Sequence, residues 1–190
     1  GAGRGATSVF YVTVGTGIGG GLVLNGKLHG AGRPAAAEIG HLRPVPDTHP
    51  HWTVESLASG PGIAAAAWIA MGGDSNIESP PAKKLADTRD KMTARVVAEA
   101  AAAGDVLAGA VLLYACERLG WAIAQVITLI APEVVVVGGG VSLIGEKLFF
   151  RPLRTAVEQY VFPPLIGSYR IVPAGLGELA VVHGAIALAA

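Results

Sequence analysis

The sequence predicts an α/β domain in which helices pack on a mixed sheet. Two β-forming runs, residues 8–14 and 21–24, flank a glycine-rich turn and lead into Asn25-Gly26, a dipeptide suited to a hairpin turn with positive φ. A continuously apolar run at residues 133–137 has the character of a strand buried on both faces. Alanine-rich stretches of helical length lie between and after these runs. Strands that first pair as a hairpin and then alternate with helices imply a mixed sheet.

In chain order, residues 8–14, 21–24 and 27–32 are expected as strands. After a Pro-containing loop, residues 54–71 form one alanine-rich helix. Residues 72–90 are polar, contain Pro80-Pro81 and read as an exposed loop. Thr93 can cap a helix reaching Ala103, and Asp105 can cap a second reaching about Ile130. The second is apolar on nearly all faces, which puts it in the middle of the fold. Pro132 stops it. Residues 142–160 return to helix, 169–173 to strand and 178–190 to helix. There is no internal repeat.

Composition narrows the function classes. Of 190 residues, 52% are hydrophobic and 15% charged, with a formal net charge of zero. Soluble domains average roughly 25% charged residues, so the apolar excess points to a large contact with a second domain or subunit. Without a Lys/Arg cluster, binding of nucleic acid is not expected. The single Cys116 excludes an intrachain disulfide and a CxxC site, is expected to be buried, and suits a reducing compartment. No signal peptide is visible, and the most apolar stretch, residues 119–131, falls short of the roughly 20 residues a membrane span requires. A cytoplasmic location follows as the expectation.

Two glycine-rich turns carry the chemistry. "VGTGIGGG" places Gly15, Gly17 and Gly20 in a GxGxxG pattern, but a strand and hairpin follow it where a dinucleotide fold needs a helix. It also lacks the Gly-Lys-Ser/Thr of a P-loop, and nothing downstream matches the protein-kinase motifs. What remains is a tight β-turn whose bare N–H groups approach an anion, with the Thr16 hydroxyl as a further donor, or a structural turn or bulge. The second run, Gly138, Gly139 and Gly140, follows the buried strand and precedes a helix that begins near Ser142. Ligands gather at such carboxyl ends of strands, although a close strand-to-helix crossing demands the same glycines. Together the two turns favour a nucleotide, with phosphates at the first and adenosine at the second.

"VTVGTGIGGGLVLNGKLHGAGRPAAAEIGH", then "VESLASG", "AAAAGD", "PEVVVVGGGVS" and "GAIALA", in this order, resemble the ROK family of bacterial sugar kinases and sugar-responsive repressors. The resemblance covers essentially the whole chain. It implies an actin-like, ribonuclease-H-like ATPase fold of two lobes, with ATP and sugar bound between them. It further implies that Gly15, Thr16 and Gly17 form the second phosphate motif and that Gly138 to Ser142 form the adenosine motif. Glu38 and His41 of "EIGH" and Glu55 of "VES" would contact the sugar. Ionised carboxylates suit that role, since each accepts hydrogen bonds from several hydroxyls.

Two departures from the family pattern stand out. The cysteine-rich zinc segment found in many members is replaced by "LRPVPDTHPHWTV", so no structural zinc is expected. His49 and His51 could join His41 only as three ligands without a clear fourth; packing around Trp52 is the simpler expectation. The family's first phosphate motif, DxGxT, and its catalytic aspartate have no match in this chain. Either the chain is a degenerate binding remnant or, as the apolar excess favours, it is a C-terminal lobe, inactive alone, whose full-length protein phosphorylates a hexose with Mg²⁺-ATP. Glucose is the first candidate, with polyphosphate open as donor and a homodimer as the assembly. The alternative is a sugar-responsive repressor with its DNA-binding part upstream. A final expectation is that Gly17→Val abolishes nucleotide binding while sugar binding survives.

Overall fold

A computed structural model describes residues 1–33, 35–45, 47–72 and 91–177. The expected helix at 178–190 and nearly all of the expected loop at 72–90 lie outside the described residues.

A five-stranded mixed sheet has the order β3-β2-β1-β4-β5. The central strand β1 (Ser8–Val14) pairs antiparallel with β2 (Ile18–Leu24), in register from Ser8 opposite Leu24 to Val14 opposite Ile18. Asn25 (φ 50°) and Gly26 (φ 75°) make the turn into the two-residue β3 (Lys27–Leu28). On its other side β1 pairs parallel with β4 (Val134–Gly138), which pairs parallel with β5 (Arg170–Pro173). Glu133, expected inside β4, precedes it: its carboxylate accepts hydrogen bonds from the Thr7 N–H and hydroxyl.

Alternation along β1 sends Phe10, Val12 and Val14 to one face, where they are at most 2% exposed. They share one core with Val54, Ile63, Leu119, Ile123 and Ile127 from the helices. All five residues of β4 are buried, as its unbroken valine run requires.

Several expected elements change form. β2 begins at Ile18, three residues earlier than expected, so Gly19, Gly20 and Gly21 belong to the strand and the turn is only Gly15 to Gly17. A Cβ on Gly20 would strike the Ala37 carbonyl and the Phe10 ring, which explains why that strand position is glycine. The expected strand at 27–32 stops at Leu28. The single helix expected at 54–71 is two, α1 (Val54–Ala58) and α2 (Gly60–Ala70). Ser59 between them is extended (ψ 168°), and Pro61 sits in the first turn of α2, where its missing N–H costs nothing.

Helix α3 (Ala94–Ala102) starts at the Thr93 cap and α4 (Val106–Ile130) at the Asp105 cap. The expected helix at 142–160 is three pieces: a 3₁₀ turn (Gly140–Ile144), a π-helical turn (Glu146–Phe150) and α5 (Arg151–Tyr160). Gly145, at φ 91°, separates the first two by leaving the right-handed helical region.

At 25 residues α4 is long and apolar enough to cross a membrane by length and composition, although residues 119–131 alone are not. In this fold it is a core helix. Leu119, Ala122, Ile123 and Ile127 on one side are fully buried and the helix packs on α5, while Leu113 (57% exposed) on the other side and Val106 (86%) and Leu129 (83%) at the ends stay outside. The expected central helix thus lies against the core, but buried along one side and not all round. Gly120 permits the close crossing, since a Cβ there would lie 2.5 Å from Ala156 Cβ. Cys116 is buried, and burial pushes its thiol up to about 12.

Candidate active site

The β1–β2 turn lies at the carboxyl end of β1, beside that of the parallel neighbour β4. Within it the Gly15 N–H donates to the Gly17 carbonyl at 2.9 Å. The start of α2 braces it from outside, the Gly60 N–H donating to the Gly15 carbonyl at 2.8 Å. A third bond comes from α1: the Ile18 N–H donates to Glu55 Oε2 at 2.8 Å. Among the described residues, the Thr16 and Gly17 N–H groups have no hydrogen-bond partner, and Thr16 is exposed. Two free N–H groups and a hydroxyl on a fixed turn suit an incoming oxyanion.

This turn opens on a cavity of about 1430 Å³. Gly15 and Thr16 form one wall, Pro61, Ala64, Ala65 and Trp68 of α2 a second, and Ala98 and Ala102 of α3 a third; Gly140, Val141, Leu143 and Ile144 close it. The cavity is largely apolar; its charged residues, Arg95 and Glu99, form an exposed ion pair at 3.7 Å. Small residues on the facing sides of α2 and α3 create the space. Sequence reasoning took those alanines as helix formers only; their recurrence at 64, 65, 98 and 102 was the available signal.

Glycine at the two turns has different causes. Gly15 and Gly140 line the cavity, and a Cβ on either would meet no protein atom within 4 Å. Neither has positive φ. Among the described residues no contact requires glycine at either position, and the missing side chain leaves the backbone open to close approach from the cavity. Gly139 is the opposite case: its φ is 87°, and a Cβ would lie 2.5–2.7 Å from the backbone of Val14. Gly138 is packed under Tyr11 and Ala174, while Ser142 donates its hydroxyl to the Gly139 carbonyl at 2.7 Å. Gly138, Gly139 and Ser142 therefore shape the strand-to-helix crossing, and of the expected adenosine motif Gly140 and Val141 line the cavity.

The expected sugar residues sit beside the turn. Glu38 precedes a 3₁₀ turn (Ile39–His41), and both Glu38 and His41 are exposed. Gly40 packs directly against the Ile18 carbonyl, so closely that a Cβ would clash with it. The Val54 N–H donates to the Leu42 carbonyl at 2.9 Å and joins this segment to α1. Ile18 thus takes the "EIGH" turn on its carbonyl and Glu55 on its N–H. Glu55 itself is half-buried. His49 stacks on Trp52 with ring centroids 3.7 Å apart. Among the described residues, no group of three His, Cys, Asp or Glu side chains could hold a metal ion.

The independence expected for Gly17→Val does not hold. Gly17 has no positive φ, and a Cβ there would lie 2.7 Å from Glu55 Oε2. A valine would therefore push on the candidate sugar ligand as well as on the phosphate turn.

Comparison with known proteins fits this arrangement. A glucokinase of Thermotoga maritima is 34% identical over 193 residues, which cover 99% of this chain and 60% of that protein. The crystal structure of a ROK family glucokinase from Streptomyces griseus, in complex with glucose and AMPPNP, superposes with a TM-score of 0.78 at 29% identity, covering 99% of this chain and 62% of that one. A ROK family transcriptional regulator, a homologue of the E. coli MLC protein, shares the fold with a TM-score of 0.73 at 24% identity. The chain thus spans about 60% of the length of the glucokinases it matches. Its fold is that of the actin-like ATPases. The ROK family model matches residues 1–190, and the chain belongs to the ROK family.

Proposed function

We propose that this chain is the C-terminal lobe of an ATP-dependent hexose kinase, with glucose the first candidate substrate. The observation that carries the reading is the cavity lined by Gly15, Thr16 and Gly140, where a Cβ on either glycine would meet no described protein atom and Thr16 is exposed. ATP fits these residues: the Thr16 and Gly17 N–H groups face its phosphates, and the apolar walls from α2 and α3 take the base. Glu38, His41 and Glu55 hold the sugar hydroxyls and so orient the one to be phosphorylated. Mg²⁺, when bound to the nucleotide, neutralises charge on the transferring phosphoryl group. The described residues gather no ligand set for it, and no step here is assigned to it. The base that takes the hydroxyl proton, and the first phosphate motif, would come from an N-terminal lobe outside this chain.

The likeness to glucokinases supports a kinase over a repressor, since the match to the regulator is one of fold alone. Use of ATP fits a cytoplasmic enzyme, and we carry forward a homodimer as its assembly. The test is a coupled assay of the full-length protein with Mg²⁺-ATP and glucose, mannose or N-acetylmannosamine, repeated with polyphosphate as donor. Phosphorylation of at least one hexose is the expected result. Absence of phosphorylation with either donor, together with an upstream basic helix-turn-helix, would establish the repressor instead.

A further inference from the structure

Glu55 stands between the two halves of the site. Its Oε2 accepts the Ile18 N–H at 2.8 Å, directly after the phosphate turn, and lies 2.7 Å from where a Gly17 Cβ would be. Oε1 accepts no hydrogen bond among the described residues. The same turn is tied to α2 by the Gly60 N–H, so α1 and α2 grip it from both ends. No other side-chain hydrogen bond reaches residues 15–18 among those described.

We propose that Glu55 is a positioning residue for the nucleotide as well as a sugar contact, so that one carboxylate couples the two substrates. The proposal rests on the sugar-kinase reading above. With Oε2 fixed on Ile18, the Thr16 and Gly17 N–H groups are held toward the incoming phosphate. A sugar hydroxyl donating to Oε1 fixes the carboxylate plane and thereby the turn. Each substrate then raises affinity for the other, and linkage requires the two effects to be equal.

Calorimetric titration of the full-length protein with AMPPNP and Mg²⁺, with and without glucose, measures this coupling. In the wild type, glucose should tighten AMPPNP binding by at least about fivefold, the lower end of common couplings between sites. Glu55→Ala should weaken AMPPNP about tenfold with no sugar present, as loss of a hydrogen bond to a charged group predicts, and should abolish the coupling. Glu55→Gln keeps an amide oxygen for the Ile18 N–H, so it should restore sugar-free AMPPNP affinity to within about threefold of wild type, a hydrogen bond to a neutral acceptor being weaker by about that much. Gly17→Ala should weaken AMPPNP even though Glu55 is intact, because its Cβ displaces Oε2. A Glu55→Ala protein with unchanged sugar-free AMPPNP affinity overturns the proposal while leaving Glu55 as a sugar contact. A wild type that binds AMPPNP but no hexose overturns the sugar-kinase reading itself, whatever the Glu55 variants do.

Discussion

Gly139 and Gly140 are adjacent and chemically identical, yet the fold needs only one of them. An alanine at 139 would have to adopt a φ near 87° with its Cβ against the Val14 backbone. The left-handed conformation alone costs roughly 1–2 kcal/mol, so Gly139→Ala should destabilise by about 2 kcal/mol or more, read as a fall in the urea midpoint at constant m. Gly140→Ala should leave that midpoint unchanged and weaken AMPPNP binding. An equal loss of stability in both variants would remove the ligand-based explanation for Gly140. At this scale the sequence showed where the glycines were but not which served the chain and which served a ligand. That division depends on atoms distant in sequence: Val14 against Gly139, Ala37 against Gly20, Glu55 against Gly17. The motif offered Glu55 as a candidate sugar residue. The Glu55 bond to Ile18, 37 positions away, was not legible.

The element that most affects the site is the break between α1 and α2. Ser59 is 3% exposed, and its hydroxyl oxygen accepts the Gly62 N–H at 3.2 Å, which starts α2 where the Gly60 N–H can reach Gly15. Ser59→Ala removes that cap. Loss of a cap costs typically about 1 kcal/mol, and here it also leaves a donor at the site without its partner. The expected outcome is a stability loss of that size, read from the urea midpoint at constant m, together with weaker AMPPNP binding, since α2 braces the turn. A stability loss with unaltered AMPPNP affinity would separate the cap from the site. Reading residues 54–71 as one helix followed alanine propensity, a weak local preference. The tetrapeptide Ser59-Gly60-Pro61-Gly62 held the contrary signal, a capping serine followed by proline in a first turn. The hairpin, the buried β4 and the capped starts of α3 and α4 were legible because turn chemistry, apolar run and cap residue agreed there.

Across the whole molecule, the C-terminal ends of β1 and β4 bring the β1–β2 turn, the apolar cavity and the Ile18 junction to one end of the sheet. The sequence implied a mixed sheet through Asn25-Gly26 and the valine run; the order β3-β2-β1-β4-β5 rests on the β1–β4 pairing between segments more than 100 residues apart, which no local pattern encodes. The cavity was hard to read, because its one signal, the alanines at 64, 65, 98 and 102, serves helix propensity equally well, and the space depends on how α2 and α3 face each other. On the proposed reading, the same end of the sheet carries the candidate phosphate turn and sugar residues, and the sequence holds no carboxylate in the family's catalytic context. Phosphoryl transfer needs a base for the sugar hydroxyl as well as positioned substrates. The 190-residue chain alone should therefore show no hexose phosphorylation above the no-enzyme rate at saturating Mg²⁺-ATP and glucose, while the full-length protein turns over. Mixing the chain with a separately produced N-terminal lobe should restore activity in proportion to complex formation. Turnover by the chain alone would place the base within it, and the carboxylates of Glu38 and Glu55 would be the first to substitute in locating it.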